Sequence, residues 1–278
     1  MNLNEIKELL NKYNAGALKK YGQNFLINDN VLKTIANTLK DQFKNVIEIG
    51  PGLGSLTRYL VTTYDKVLAF EIDPKMVEIL DDTIKEENFR VVEKDILKVN
   101  IEQEINNYFD NKEICLIANL PYYITTPIML KVLEEAPSIK SMVIMIQKEV
   151  AERFLGRPNT KDYNSLSVLI QTYMDVSKVI EVSKNSFYPA PEVTSAVIKL
   201  TRKEKTNYQI DNEELFLKVN RLMFKQRRKT IVNNLKDIYN KESILDILNK
   251  LNISETARSE SLSVEQIINF SNELNKIL

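Results

Sequence analysis

Only six glycines occur in 278 residues, and three of them, Gly50, Gly52 and Gly54, fall within five positions. They follow the apolar run Val46-Ile47-Glu48-Ile49 and precede a stretch with helical character at 56–63. A strand that turns sharply into a helix beside a ligand needs residues without a Cβ, both for left-handed φ and for close backbone approach. Glu71 ends the next apolar run, 21 residues after Gly50. At that spacing a carboxylate at a neighbouring strand end can accept both hydroxyls of a ribose.

From about residue 45 to 147, short apolar runs alternate with helical segments. The runs lie at 46–49, 67–72, 89–92, 114–118 and 142–146, and Asp73-Pro74 marks a helix start between two of them. Strand, helix, strand repeated four times predicts a parallel sheet with helices on both faces and a ligand at the carboxyl ends of its strands. Two further β-rich runs, 166–174 and 196–200, bring the expected sheet to seven strands. Phe187-Tyr188-Pro189-Ala190-Pro191 between them reads as an extended loop. After a polar segment at 201–209 helical periodicity runs nearly to the end, and Ser263 with Gln266 forms a candidate capping box. The expected organisation is α/β, a Rossmann-like domain over 1–205 and a small helical domain over 206–278.

The chain has no histidine and one cysteine, Cys115, which excludes disulfides, Cys/His zinc sites, Ser-His-Asp triads and imidazole acid–base chemistry. No metal site is expected. Thirty-eight basic residues balance 38 acidic ones, so any affinity for nucleic acid has to come from uneven distribution. No GxxxxGK[ST] string is present. The start, MNLNEIKELL, carries Glu5 and Glu8 and lacks the basic and apolar regions of a signal peptide, which predicts a cytoplasmic protein. The uncharged stretch 114–130 is interrupted by Asn119, Pro121 and Pro127, so a strand, loop and helix start explain it better than a membrane span.

Two ligand classes compete for the glycine turn. A dinucleotide fingerprint is G-x-G-x-x-G, whereas position 55 is Ser and the string from Glu48 to Gly54 is closer to the E-x-G-x-G-x-G loop of S-adenosylmethionine-dependent methyltransferases. Glu71 would take the ribose, and Asp95, after the third strand, the adenine amino group. Asn119-Leu120-Pro121-Tyr122 ends the fourth strand, in the same cleft. The exocyclic amine of adenine is a poor nucleophile because its lone pair is delocalised into the ring. The Asn119 side-chain oxygen and the Leu120 carbonyl can accept its two N–H groups and stabilise developing positive charge. Tyr122 can stack on the base, and Phe187 can cover the other face of a flipped base. Methyl transfer from a sulfonium needs positioning rather than a histidine base.

The chain resembles the KsgA/RsmA/Dim1 family of ribosomal RNA adenine dimethyltransferases over nearly its whole length. The resemblance is carried by Lys20-Tyr-Gly-Gln-Asn-Phe-Leu26, the 48–57 loop, Glu71-Ile-Asp73, Lys94-Asp-Ile-Leu97, Asn119-Leu-Pro-Tyr-Tyr-Ile-Thr-Thr-Pro127, Gln147-Lys-Glu-Val-Ala-Glu-Arg153 and Phe187-Tyr-Pro-Ala-Pro-Glu-Val193. It implies a class I methyltransferase fold and N6,N6-dimethylation of two adjacent adenines in the 3′-terminal hairpin loop of 16S rRNA. It also implies a pre-30S particle as partner, late in subunit biogenesis, and action as a monomer. Family cofactor contacts match Gln23, Asn24, Leu26, Gly50, Glu71, Asp95 and Asn119, to which the glycine turn adds Glu48 and Gly52. Without the resemblance, residues 23–26 read as a plain loop between helices. Asn164 and Glu192 depart from the family, which often has glycine and lysine there.

Seven Lys/Arg and no acid lie between Lys218 and Lys236. Lys218, Arg221, Lys225 and Arg228 follow helical spacing, opposite an apolar face of Leu215, Val219, Leu222 and Met223. Arg221, Lys225, Arg227, Arg228 and Lys229 are therefore expected to contact RNA phosphates.

Overall fold

The structure is a computed structural model that describes residues 1–16, 23–110, 113–203 and 208–278. The described residues form two compact units, one of 1–151 and 177–202, the other of 152–176 and 203–278. The expected cut after residue 205 lies outside the described residues. The second unit is also not a simple C-terminal piece, because 152–176 belongs to it.

Nine strands are present among the described residues: β1 (Phe25–Leu26), β2 (Asn45–Ile49), β3 (Lys66–Glu71), β4 (Phe89–Glu93), β5 (Ile114–Asn119), β6 (Ile139–Gln147), β7 (Met174–Val182), β8 (Phe187–Tyr188) and β9 (Ser195–Arg202). Seven of them form one sheet in the order β4-β3-β2-β5-β6-β9-β7. The pairs β4/β3, β3/β2, β2/β5 and β5/β6 are parallel, and β6/β9 is antiparallel. Helices cover both faces of the central strands, which is why β2 and β5 read as nearly unbroken apolar runs. Val46, Val67, Cys115, Ile117, Val143 and Val197 pack on one side with Leu32, Ile35 and Leu60. Alternation sends Ile47, Leu68, Phe70 and Leu116 to the other side. The chain order reverses between β3-β2 and β5, so the cleft opens at the strand ends beside β2.

Several helix starts follow the sequence signals. Asp73 accepts the Lys75 N–H at 3.1 Å ahead of Pro74, and Ser263 and Gln266 cap each other reciprocally at 3.2 and 2.9 Å. The apolar run expected as a strand at 166–174 is instead the helix Ser165–Tyr173. Asn164 caps it, accepting the Leu166 and Ser167 N–H groups at 2.8 and 3.3 Å. That gives the family departure at position 164 a local role. The seventh strand is β7, which follows this helix directly. The basic helix is also broken: Glu213–Met223 ends before Phe224, and 224–230 is a turn leading to the short helix Ile231–Leu235. Lys225, Arg227, Arg228 and Lys229 therefore stand on a loop.

Arg202 ends β9 and donates to the carbonyls of Val132, Leu133, Ala136 and Ile139 at 3.2–3.4 Å. Val132 and Leu133 belong to the last turn of helix Thr125–Glu135, at the negative end of its dipole, and the Val132 and Ala136 carbonyls also accept the Ala136 and Ile139 N–H groups at 3.2 and 3.1 Å. Arg202→Leu is expected to cost about 2–3 kcal/mol of unfolding free energy, read as a lower urea midpoint. An unchanged midpoint would mean that water satisfies these carbonyls equally well.

Candidate active site

The glycine turn is built as its composition requires. Gly50, Gly52 and Gly54 have φ of +67°, +56° and +78°, a region that costs any residue with a Cβ. At Gly52 a Cβ would also stand 3.2 Å from the Phe25 ring, so the segment following β1's entry lies directly against the turn. The Gly52 N–H donates to the Glu71 carboxylate at 3.0 Å. The other Glu71 oxygen accepts the Ile72 and Asp73 N–H groups at 2.8 and 3.0 Å. Burial pushes the Glu71 carboxyl up, and these three N–H groups oppose the rise.

A cavity of about 300 Å³ lies over this turn, within the size range of small-molecule sites. Every residue expected to contact the cofactor lines it: Gln23, Asn24, Leu26, Glu48, Gly50, Gly52, Glu71, Asp95 and Asn119. Leu120, Pro121 and Tyr122 line it as well. Lys20, Tyr21 and Gly22, which open the quoted Lys20–Leu26 motif, lie outside the described residues.

Several partners were not legible in the sequence. Gln23 Nε2 donates to Asp73 at 2.9 Å, and Asn119 Nδ2 donates to the Asn24 carbonyl at 3.2 Å. The Tyr122 hydroxyl bonds Ser195 at 2.6 Å across the sheet end. β1 pairs antiparallel with β8, with Phe25 opposite Tyr188 and Leu26 opposite Phe187. The presumed loops at 23–26 and 187–191 are thus partly one two-stranded ribbon. Phe187 does not reach the cavity: it is 3% exposed and packs in the core with Leu26 and Val182. Its expected place over a base is not what the structure shows.

The wall chemistry distinguishes the two ligand classes. Glu71 and Asp95 face the cavity, while the one lysine among its described lining residues, Lys94, is paired with Glu104 at 2.5 Å. Among the described residues a pyrophosphate would meet carboxylates with no unpaired cation to receive it, whereas a sulfonium and an α-amino group suit an acidic wall. Ile72, Ile96 and Leu97 supply an apolar flank beside Asp95 for an adenine ring. The residues present fit S-adenosylmethionine.

A model of the ribosomal RNA adenine dimethylase family matches residues 15–276. The chain belongs to this family. It is 42% identical over 276 residues to a ribosomal RNA small subunit methyltransferase A of Clostridioides difficile, covering 98% of this chain and 96% of that protein. A dimethyladenosine transferase from Plasmodium falciparum superposes with a TM-score of 0.76 at 28% identity, covering 91% of this chain and 98% of that one. The 23S rRNA methyltransferase ErmE superposes with a TM-score of 0.68 at 25% identity, covering 91% and 100%. As a member of the family, the chain is an S-adenosylmethionine-dependent methyltransferase with a Rossmann-like fold. No described helix is long and apolar enough to cross a membrane.

Glu48 differs from the other wall residues. It is 1% exposed and accepts the Thr57 hydroxyl at 2.7 Å. Burial pushes its carboxyl up to about 8, with the Thr57 bond opposing the rise and the Glu71 charge adding to it. Glu48 is therefore largely a neutral acid near pH 7, supporting the turn from beneath. An acid with a raised folded pKa contributes stability below its unfolded value of 4.5, and that contribution is lost as pH climbs to about 8. Glu48→Gln keeps an acceptor for Thr57 and removes this titration. The variant should show a flatter Tm profile between pH values of about 5 and 9 and a higher Tm than the parent at the alkaline end. An identical profile would show that Glu48 is not the titrating group.

Proposed function

We propose that the protein transfers methyl groups from S-adenosylmethionine to N6 of two adjacent adenines in the 3′-terminal hairpin loop of 16S rRNA. It acts as a monomer on a pre-30S particle in the cytoplasm during late subunit biogenesis. The observation that carries the chemistry is the orientation of the Asn119 amide. Its Nδ2–H group is taken by the Asn24 carbonyl, which leaves Oδ1 as the acceptor on the cavity wall. An amide turned the other way would repel an incoming amine donor.

Bound S-adenosylmethionine supplies an electrophilic methyl on a positively charged sulfur. The protein's part is to hold the amine in line with that methyl. Asn119 Oδ1 and the Leu120 carbonyl accept its two N–H groups, so positive charge growing on nitrogen meets two oxygen dipoles in a site sheltered from water. The Leu120 N–H, bonded to the Met145 carbonyl at 3.1 Å, fixes the orientation of the peptide. Ser195 holds the Tyr122 hydroxyl, so the Tyr122 ring offers a preset face for the base. No general base of unusual pKa is required, because the proton leaves a cationic amine product readily.

The reading agrees with the name of the 42%-identical relative and with the match to the adenine dimethylase family. The test is to incubate the protein with undermethylated small subunits and labelled S-adenosylmethionine, then map the modified nucleotides by mass. Dimethyladenosine at two adjacent positions near the 3′ end is expected. Label confined to large-subunit RNA would overturn the substrate assignment. In the same assay Asn119→Ala should lower kcat by roughly 10²-fold or more with the fold intact by circular dichroism. Near-normal turnover would remove Asn119 from the mechanism.

A further inference from the structure

Arg227 sits in the middle of the basic run, but its surroundings differ from those of its neighbours. Its Nε donates to the Glu260 carboxylate and its Nη1 to the Lys161 carbonyl, while Nη2 reaches the Thr160 carbonyl at 2.9 Å. The guanidinium is thus engaged on three sides and its charge is matched by Glu260. Arg221, Lys225, Arg228 and Lys229 are exposed and make no ion pair among the described residues. Glu260 is itself tied to the same place, because its backbone carbonyl accepts the Asn159 N–H at 2.8 Å.

The two loops that Arg227 joins are each held from within the second unit. On one side, Asn234 Nδ2 donates to the carbonyls of Met223 and Gln226 at 2.7 and 3.2 Å. The Ser259 hydroxyl donates to the Met223 carbonyl at 2.7 Å. On the other side, Gly156 lies where a Cβ would stand 2.9 Å from the Asp162 backbone, and Thr160 closes a turn onto the Arg157 carbonyl at 2.7 Å. Lys161 is exposed on this second loop. A loop that presents cations to phosphates gains affinity when it is shaped before binding, because less side-chain and backbone freedom is lost.

We infer that Arg227 is a positioning residue, locking the 224–230 loop to the 157–161 loop so that Lys161, Lys225, Arg228 and Lys229 present one preset cationic surface to RNA phosphates. The inference rests on the RNA-methyltransferase reading above. It withdraws Arg227 itself from the phosphate contacts. Glu260, an acid beside a basic loop, then favours RNA binding through the cation it holds.

The test compares Arg228→Gln with the double variant Arg227→Gln, Glu260→Gln, whose net charge equals the parent's. Binding to undermethylated small subunits is measured across a salt series, together with KM and kcat. Arg228→Gln should make the slope of log K against log salt shallower by about one. The double variant should keep the parent slope while its KM for the particle rises several-fold, with kcat at saturating particle and KM for S-adenosylmethionine unchanged. A slope reduced by about one in the double variant, or an unchanged KM, would overturn the inference. An unchanged slope in Arg228→Gln would instead overturn the phosphate surface on which the inference rests. Amide exchange separates the two failures. Exchange should quicken in both loops of the free double variant if Arg227 joins them, and unaltered exchange refutes the lock whatever the RNA results.

Discussion

A buried carboxylate organises the site. Glu71 holds the N–H groups of Gly52, Ile72 and Asp73 at once, which ties the glycine turn after β2 to the end of β3. From there a chain of contacts runs to the chemistry. Asp73 accepts from Gln23, the neighbouring Asn24 offers its carbonyl to Asn119, and Asn119 stands at the end of β5. The carboxylate at the end of β3 and the amide at the end of β5 are therefore oriented by one continuous set of polar contacts. The partners are mostly backbone groups, whose fixed dipoles are the kind of element that electrostatic stabilisation without reorganisation uses.

The same cavity shows how burial assigns different states to similar groups. Glu48 and Glu71 are both glutamates at strand ends beside the turn, and both are buried. Glu71 meets three N–H donors that favour its charged form, whereas Glu48 meets one hydroxyl and has its carboxyl pushed up to about 8. Lys94 is drawn away to Glu104. Among the described residues the wall is left acidic beside Glu71 and Asp95, which favours a cationic ligand over a pyrophosphate. In the second unit Arg227, like Lys94, spends its charge on an internal acid, so the number of basic residues in a stretch overstates the number available to a partner.

Much of this was legible in the sequence because its causes are local. Gly50, Gly52 and Gly54 carry a positive φ that costs any residue with a Cβ, Asp73-Pro74 starts a helix by chemistry within three residues, and β2 and β5 are mostly apolar because both sheet faces are covered. The failures have equally physical reasons. The residues 166–174 are apolar and partly β-branched, and only the Asn164 cap distinguishes their helix from a strand. The periodicity through 218–228 continues past Met223, yet the helix ends there, where Asn234 and Ser259 both donate to the Met223 carbonyl. The ribbon of β1 and β8 joins residues more than 160 positions apart, and no pattern within either pair announces it.

By itself the sequence determined the kind of sheet, the position of the ligand turn, the absence of histidine and metal-thiolate chemistry, and the motif that places an amide at a strand end. These depend on steric freedom, alternation and functional-group inventory, which are properties of a residue and its near neighbours. Tertiary structure alone decided which oxygen and which N–H each polar group would meet. It turned the Asn119 amide, pushed the Glu48 carboxyl up by burial, buried Phe187 away from the cavity and committed Arg227 to Glu260. Hydrogen-bond direction and desolvation are set by atoms brought together from distant parts of the chain, so they exist only once the fold does.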